Sequence, residues 1–336
     1  MEYLFFDIEC ACVYKDVAKI CAFGYCLTDE KFNILEKEDI LINPKGSFHL
    51  TDRKGRSGIV LPYDYTDFKN YPPFPKVYSR IRALLEGENR LIFGHATSND
   101  VKYLNLETRR FHLPALEFCF YDTQIVYMTV AEAFDRQYGL EHITQNLNVE
   151  FTPHRAADDA YATMRIAEAM CKAEGVGLQE LLKKYAVLPG KTAKGKTLSG
   201  TSEGIRRHAE AVRLAREERD KNHAEFCRFV DKNRPKKKSP AMQNGKWRGF
   251  RFCFSREIEN NLASSIPYVQ AIYSQGGTYC FKSGQCNVYI KSAAEQGEKS
   301  EKGEQSKRLQ NAVAAQAEIV EESDFQSVLA QLEVQA

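Results

Sequence analysis

The stretch Tyr3-Leu4-Phe5-Phe6-Asp7-Ile8-Glu9 constrains this chain more than any other. An apolar run leads into Asp7, and a second acid follows two positions later. Side chains alternate along a strand, so residues two apart share a face. Asp7 and Glu9 are therefore expected to point the same way from the end of a mostly buried strand. Carboxylates held side by side on a rigid element repel each other unless a proton or a cation relieves them, and a divalent metal does so directly. A strand that simply ends at the surface with two solvated acids gives the same pattern, so the rest of the sequence has to decide.

With 336 residues, the chain is long enough for two domains. No apolar run approaches the ~18–20 residues of a membrane span, and the start MEYLFFDIEC lacks the basic and small-residue pattern of a signal peptide. A cytoplasmic protein with no membrane partner is expected. The 10 cysteines include no C-x-x-C pair, which suits neither a zinc site nor a disulfide framework, and they are read as reduced packing residues. A net charge of +2 hides an asymmetry: Pro189–Pro240 carries 15 Lys/Arg against 7 Asp/Glu. A basic middle between mildly acidic parts points to a polyanionic partner.

Along the chain, Lys19–Leu27 and Phe32–Ile42 read as strands that form an antiparallel meander with the first. Asn43–Pro75 is a long irregular excursion. Its Arg53, Lys54, Arg56, Tyr63, Tyr65 and Tyr71 either contact nucleic acid or pack the loop onto the domain. Helix and strand then alternate: helix from Val77, strand Arg90–Phe93, helix Asn99–Phe111, strand Leu116–Tyr121. Helices Thr123–Phe134, Leu140–Leu147 and Asp158–Ala173 follow. This order predicts an α/β fold with a mixed sheet flanked by helices. Pro189–Ser202 reads as a Gly/Lys/Thr linker, and Glu203–Lys232 as a long charged helix that either tracks a nucleic-acid backbone or is a solvated spacer. From Lys246 a second pattern begins, with strand Gly249–Ser255, helix Glu257–Ser274, strands Thr278–Lys282 and Cys286–Ile290, and a closing helix–strand–helix. There is no internal repeat.

Further acids sit at element ends. Gly94-His95-Ala96-Thr97-Ser98-Asn99-Asp100 joins a strand to a helix, and His154-Arg155-Ala156-Ala157-Asp158-Asp159-Ala160 leads into another. Singly, such acids only offset a helix dipole. Together with Asp7-Ile8-Glu9 they follow the order and spacing of three motifs, D-x-E, G-H-N-x-x-F-D and H-x-A-x-x-D-A, and Tyr121-Asp122-Thr123 recurs between the last two. Residues 1–187 thus resemble the DEDDh 3′→5′ exonucleases, the superfamily that contains the proofreading subunit of bacterial DNA polymerase III.

The resemblance implies a ribonuclease H-like mixed sheet flanked by helices. It also implies two Mg²⁺ or Mn²⁺ ions held by Asp7, Glu9, Asp100 and Asp159, with His154 as general base. Hard cations suit oxygen ligands, and a neutral imidazole accepts a proton near neutral pH. The implied reaction removes nucleoside 5′-monophosphates from single-stranded or frayed DNA 3′ ends. RNA 3′ ends are the alternative substrate, and a non-catalytic repair scaffold is the alternative outside enzymes. Family register selects Asp159 over Asp158, which is read as an exposed cap, while His95 and Asp122 are read as structural. The chain departs from the pattern at Cys10-Ala11-Cys12, where the family often has Thr and Gly, and at Ala96 and Asn99, which replace Asn and Phe.

Residues 246–334 resemble, on fewer features, a small α/β BRCT domain: strand Phe250–Ser255, Gly276-Gly277 after a helix, and Ser306-Lys307 with Ile319-Val320 and Phe325 at the end. The Trp common in the last BRCT helix is missing. This likeness implies a docking module for a DNA-repair or replication protein, with Ser255 and Lys307 as phosphate-binding residues. Residues 188–245 are then a basic linker and helix between the domains.

Overall fold

Strand β1 (Glu2–Tyr14) and strand β2 (Val17–Asp29) form a long antiparallel hairpin, and β3 (Ile34–Leu41) adds to the free side of β2. The computed structural model describes residues 1–49, 61–150, 155–297 and 306–334, in two units, 1–210 and 211–336. In the first unit α1 (Phe74–Leu85) leads to β4 (Arg90–Gly94), and α2 (Ser98–Arg110) leads to β5 (Phe118–Asp122). β4 lies parallel to β1, and β5 parallel to β4. Helices α3 (Thr123–Val130), α4 (Leu140–Asn146), α5 (Ala156–Glu174) and α6 (Leu178–Lys184) follow. The mixed sheet flanked by helices that the sequence order predicts is thus present.

Alternation along β1 sorts the core. Leu4, Phe6 and Ile8 pack with Phe74, Ile81, Val101 and Leu104 on one side. Tyr3 and Phe5 pack with Val126, Met164, Ala167 and Leu181 on the other. Fully burying a Phe is worth roughly 1.5–3 kcal/mol, and Phe5 and Phe6 are both fully buried. A slip of one residue would exchange the faces and drive Asp7 into the core, so the hydrophobic pattern pins the acids' register.

Two expectations need correction here. β1 does not end at the acid pair. It continues to Tyr14, still paired with β2, through register shifts at Glu9/Cys10 and Cys10/Cys12. Nor are residues 189–202 a linker. They form β6 (Val187–Leu188), β7 (Gly190–Ala193), β8 (Lys196–Leu198) and β9 (Thr201–Ser202). β7 pairs with β5 and β8 with β7, so the main sheet runs β3-β2-β1-β4-β5-β7-β8, while β6 and β9 pair with each other. The hairpin turns at Lys194 and Gly195, both with positive φ (51° and 69°), a geometry that two-residue hairpin turns require. Tyr63, Tyr65 and Tyr71 pack with Phe48 and Phe68 in a satellite cluster, whereas Arg53, Lys54 and Arg56 lie outside the described residues.

Helix α7 (Glu203–Lys232) follows the hairpins, and its Phe226 and Val230 belong to the core of the second unit. That unit continues with α8 (Pro240–Asn244), β10 (Arg251–Phe254), α9 (Arg256–Asn260), α10 (Leu262–Ser274) and β11 (Thr278–Tyr279). β12 (Val288–Lys291), α11 (Ala294–Gly297), α12 (Lys307–Ala314), β13 (Glu318–Glu321) and α13 (Glu322–Val334) complete it. Its four strands are all parallel, in the order β11-β10-β12-β13. The single helix expected over Glu257–Ser274 is broken at Asn261, which leaves helical geometry (φ −90°, ψ 87°).

Glu259 is wholly buried in the second unit and is the meeting point of its polar groups. Its carboxylate is paired with Arg308, accepts from Arg256 at 2.8 Å and accepts from the Tyr279 hydroxyl at 2.6 Å. Removing one partner of a buried ion pair strands the other charge at a cost of ~3–5 kcal/mol. Glu259→Ala is expected to destabilise the second unit by about that much, measured by urea unfolding. A change under ~1 kcal/mol would show that Arg308 does not depend on it.

Candidate metal centre

Three features of the fold bring acids together. β4 pairs with β1 only along Glu2–Phe5, so Asp7 and Glu9 project beyond the end of their parallel neighbour. There the chain leaves β4 through Gly94–Thr97 into α2, whose first turn carries Asp100. From the other direction the first turn of α5 comes down on β2 at Gly24, the residue opposite Asp7. A Cβ added at Gly24 would lie 2.0 Å from the carbonyl carbon of Ala156 and 2.1 Å from the nitrogen of Ala157. Only glycine lets this helix end approach so closely, and the approach sets Asp159 beside Asp7 and Glu9.

Carboxylate oxygens of Asp7, Glu9 and Asp159 all lie within 4.8 Å of one another. Asp100 stands outside that tight group, buried on α2, yet near enough to feel the charges of Asp7 and Glu9. Burial is the leading cause that raises the pKa of Asp7, Glu9 and Asp100. Asp7 is pushed up to about 7, with Asp39 adding to the effect. Glu9 rises to about 9, with Asp7, Asp159 and Asp39 contributing after burial. Asp100 is raised well above the usual carboxylate range, by burial and then by Asp7. The donors are hard and oxygen-only, a set that fits a divalent cation such as Mg²⁺ or Mn²⁺ and no soft metal.

The other acids and histidines of the motifs are placed differently. Asp158 points away and pairs with Lys37 at 2.7 Å. Asp122 is buried at the end of β5, where it accepts from the backbone N–H groups of Ala96, Thr97 and Gln124 and so ties the β4–α2 turn to α3. His95 has its ring between the Thr123 hydroxyl (3.2 Å) and the Tyr138 carbonyl (3.0 Å), and burial lowers its pKa to about 4. Ala96 sits at φ 51°, a left-handed conformation in which Asn is enriched, so the departure from the motif falls where the backbone favours Asn or Gly. His154 lies outside the described residues. Asp39 on β3, which the motif pattern does not mark, accepts from Ala157 N–H and from Arg155, both at 2.7 Å. Alternation of Lys37 and Asp39 along β3 is the feature that could have drawn attention to it.

In the second unit Lys307 lies at the start of α12 and lines an open cleft of about 600 Å³ with Arg256, Lys282, Ser283, Ser306 and Arg308. Ser255 does not line this cleft. It is fully buried, and its hydroxyl accepts from Ile258 N–H as the N-cap of α9.

Residues 4–167, which include all four acids, match the family model described as Exonuclease. Solved structures similar to this chain include a full-length 3′-exonuclease, at 15% identity over 59% of this chain and 89% of that one (TM-score 0.46). Another is the nuclease domain of 3′hExo, described as a DEDDh family member bound to rAMP, at 16% identity over 52% and 92% (TM-score 0.43). A third is E. coli exonuclease I in complex with a dT13 oligonucleotide, at 19% identity over 52% of this chain and 42% of that one (TM-score 0.39). No curated protein matches the sequence. Among the described residues no helix is long and apolar enough to cross a membrane.

Two outcomes follow from the geometry. Carboxylates with raised folded-state values stabilise the fold below the ordinary value near ~4, and that contribution is lost as pH rises through about 7 for Asp7 and about 9 for Glu9. A cation must displace those protons, so Mg²⁺ is expected to raise the melting temperature more at pH 9 than at pH 6. Equal shifts at the two pH values, read by scanning fluorimetry, would contradict the assignment. Gly24→Val should force α5 off the sheet, destabilise the first unit by ~1–3 kcal/mol in denaturant unfolding and weaken the Mg²⁺ response. An unperturbed variant would show that the seat is not tight.

Proposed function

We propose that the first unit is a metal-dependent 3′→5′ exonuclease that removes nucleoside 5′-monophosphates from DNA ends. One observation carries the reading: three carboxylates from β1 and α5 converge within 4.8 Å inside a segment that matches the exonuclease family model. Burying Asp7 and Glu9 side by side with raised pKa values is costly unless a ligand uses them. Two divalent cations, when bound by Asp7, Glu9, Asp100 and Asp159, would supply charge neutralisation at the attacking and leaving oxygens of an in-line displacement.

The chain's own residues then divide the work. Asp7, Glu9 and Asp159 would hold the cations together, with Asp7 and Glu9 supplied by β1 and Asp159 by α5. Asp100 closes the site from α2. His154 takes the proton of the attacking water as the new P–O bond forms and the bond to the 3′ oxygen breaks. Proofreading and repair both present such frayed DNA ends. The second unit is proposed as a BRCT-like docking module for a repair or replication protein. Its anion contact would be the Lys307 cleft, with Arg256 and Lys282 in place of the buried Ser255.

Asp7→Ala is expected to abolish Mg²⁺-dependent degradation, and His154→Ala to lower it by ~10²–10⁴-fold, with both proteins folded. Labelled single-stranded DNA, mismatched duplex and RNA of equal length separate the substrates. DNA degraded faster than RNA supports the reading, and the reverse order makes the protein an exoribonuclease. Full activity in either variant would overturn the site.

A further inference from the structure

We infer that Asp39 is a positioning residue of this centre: from β3 it holds the first turn of α5, and with it Asp159, against Asp7 and Glu9. The inference rests on the metal-site reading above. It begins with strand register. Asp7 pairs with Gly24 on β2, and Gly24 pairs with Asp39 on β3. Residues directly opposite in antiparallel strands present their side chains to the same face. Asp7, Gly24 and Asp39 therefore form one row across three strands, with an acid at each end and no side chain in the middle. The backbone of Ala156 and Ala157 occupies the middle.

The start of α5 has no cap of its own. Arg155 occupies the N-cap position and its side chain accepts nothing there. The exposed N–H groups are instead satisfied from outside the helix. Ala157 N–H donates to Asp39 Oδ1 at 2.7 Å, and Ala156 N–H donates to the Tyr63 hydroxyl at 3.1 Å. The second oxygen of Asp39 accepts from Arg155 Nε at 2.7 Å, and the carboxylate is nearly sealed, with 5% of its side chain exposed. A carboxylate at a helix N-terminus is favoured by the unpaired N–H groups and by the dipole.

Two positions back on the same strand face, Lys37 pairs with Asp158 at 2.7 Å. β3 thus grips the first turn twice and fixes its rotation. Adjacent residues on a helix point about 100° apart, so that rotation decides which acid faces the centre. With β3 engaged, Asp158 turns to Lys37 and Asp159 turns to Asp7 and Glu9.

The test measures metal binding directly. Mn²⁺ affinity of the full-length protein is determined by electron paramagnetic resonance for the wild type and for Asp7→Ala, Asp39→Ala and Asp39→Asn. Losing a partner that orients metal ligands costs about 10–100-fold in affinity, and Asp39→Ala is expected to fall in that range. Asp39→Asn keeps an acceptor for Ala157 N–H and is expected to recover most of the loss. A purely structural role would lower the melting temperature of the metal-free protein and leave the affinity of the folded fraction unchanged. That result, or wild-type affinity in a folded Asp39→Ala, overturns the inference. Should Asp39→Ala not fold, Asp39→Ser, too short to reach Ala157, is read by the same criteria. If the wild type binds no Mn²⁺, or Asp7→Ala binds as the wild type does, the metal-site reading itself fails. Loss in Asp7→Ala with no change in Asp39→Ala sinks only the role of Asp39.

Discussion

The seat of α5 on Gly24 is the contact on which the grouping of Asp7, Glu9 and Asp159 depends. Asp7 and Glu9 come from a strand whose register is held by buried aromatics, and Asp159 comes from a helix more than a hundred residues later. Those two elements meet at backbone distance because one residue of β2 has no side chain. Close approach of like charges is unfavourable, and nothing in the carboxylates themselves would bring them together. Packing of apolar surface elsewhere along α5, where Met164, Ala167 and Met170 face Tyr3 and Phe5, supplies the stabilisation that offsets it. The site is assembled by the core on behalf of groups that would otherwise separate.

Much of this was legible in residue order. The apolar run before Asp7 gave the strand, alternation gave the shared face of Asp7 and Glu9, and the spacing around Asp100 and Asp159 placed both in first turns of helices. What could not be read was which side of β3 a helix would cover. Ile34–Leu41 alternates charges on both faces, and nothing local separates the pair Lys37/Asp39, which meets α5, from Glu36/Glu38, which meets Arg80. The hairpins at 187–202 were missed for a different reason. Strands of two to four residues are too short to show a period, and their Gly, Lys and Thr content is that of a linker.

The second unit shows another limit of pattern reading. Glu259 sits in what the sequence presents as one continuous helix of mixed polarity, an ordinary exposed acid by composition. The break at Asn261 and the arrival of Arg308 from a distant helix make it a buried hub instead. Ser255 is diverted in the same way. A serine at the end of a strand is equally suited to grip an anion or to cap the helix that follows, and here the helix begins at the next residue and takes the hydroxyl.

The β7–β8 hairpin has a consequence for where this domain can be cut. Ser199 reaches Ser98 at the start of α2, and Asn105 of α2 donates to both Thr192 and Thr197. A chain ended at residue 187, where the alternation of helices and strands gives out, would leave that asparagine without its partners in a buried setting. It would also leave β5 with an unpaired edge beside Phe118 and Phe120, an open template for another chain to add to. The first unit therefore needs the chain through Ser202, and the lysine-rich segment that resembles a tether is a strand pair that covers the edge of β5.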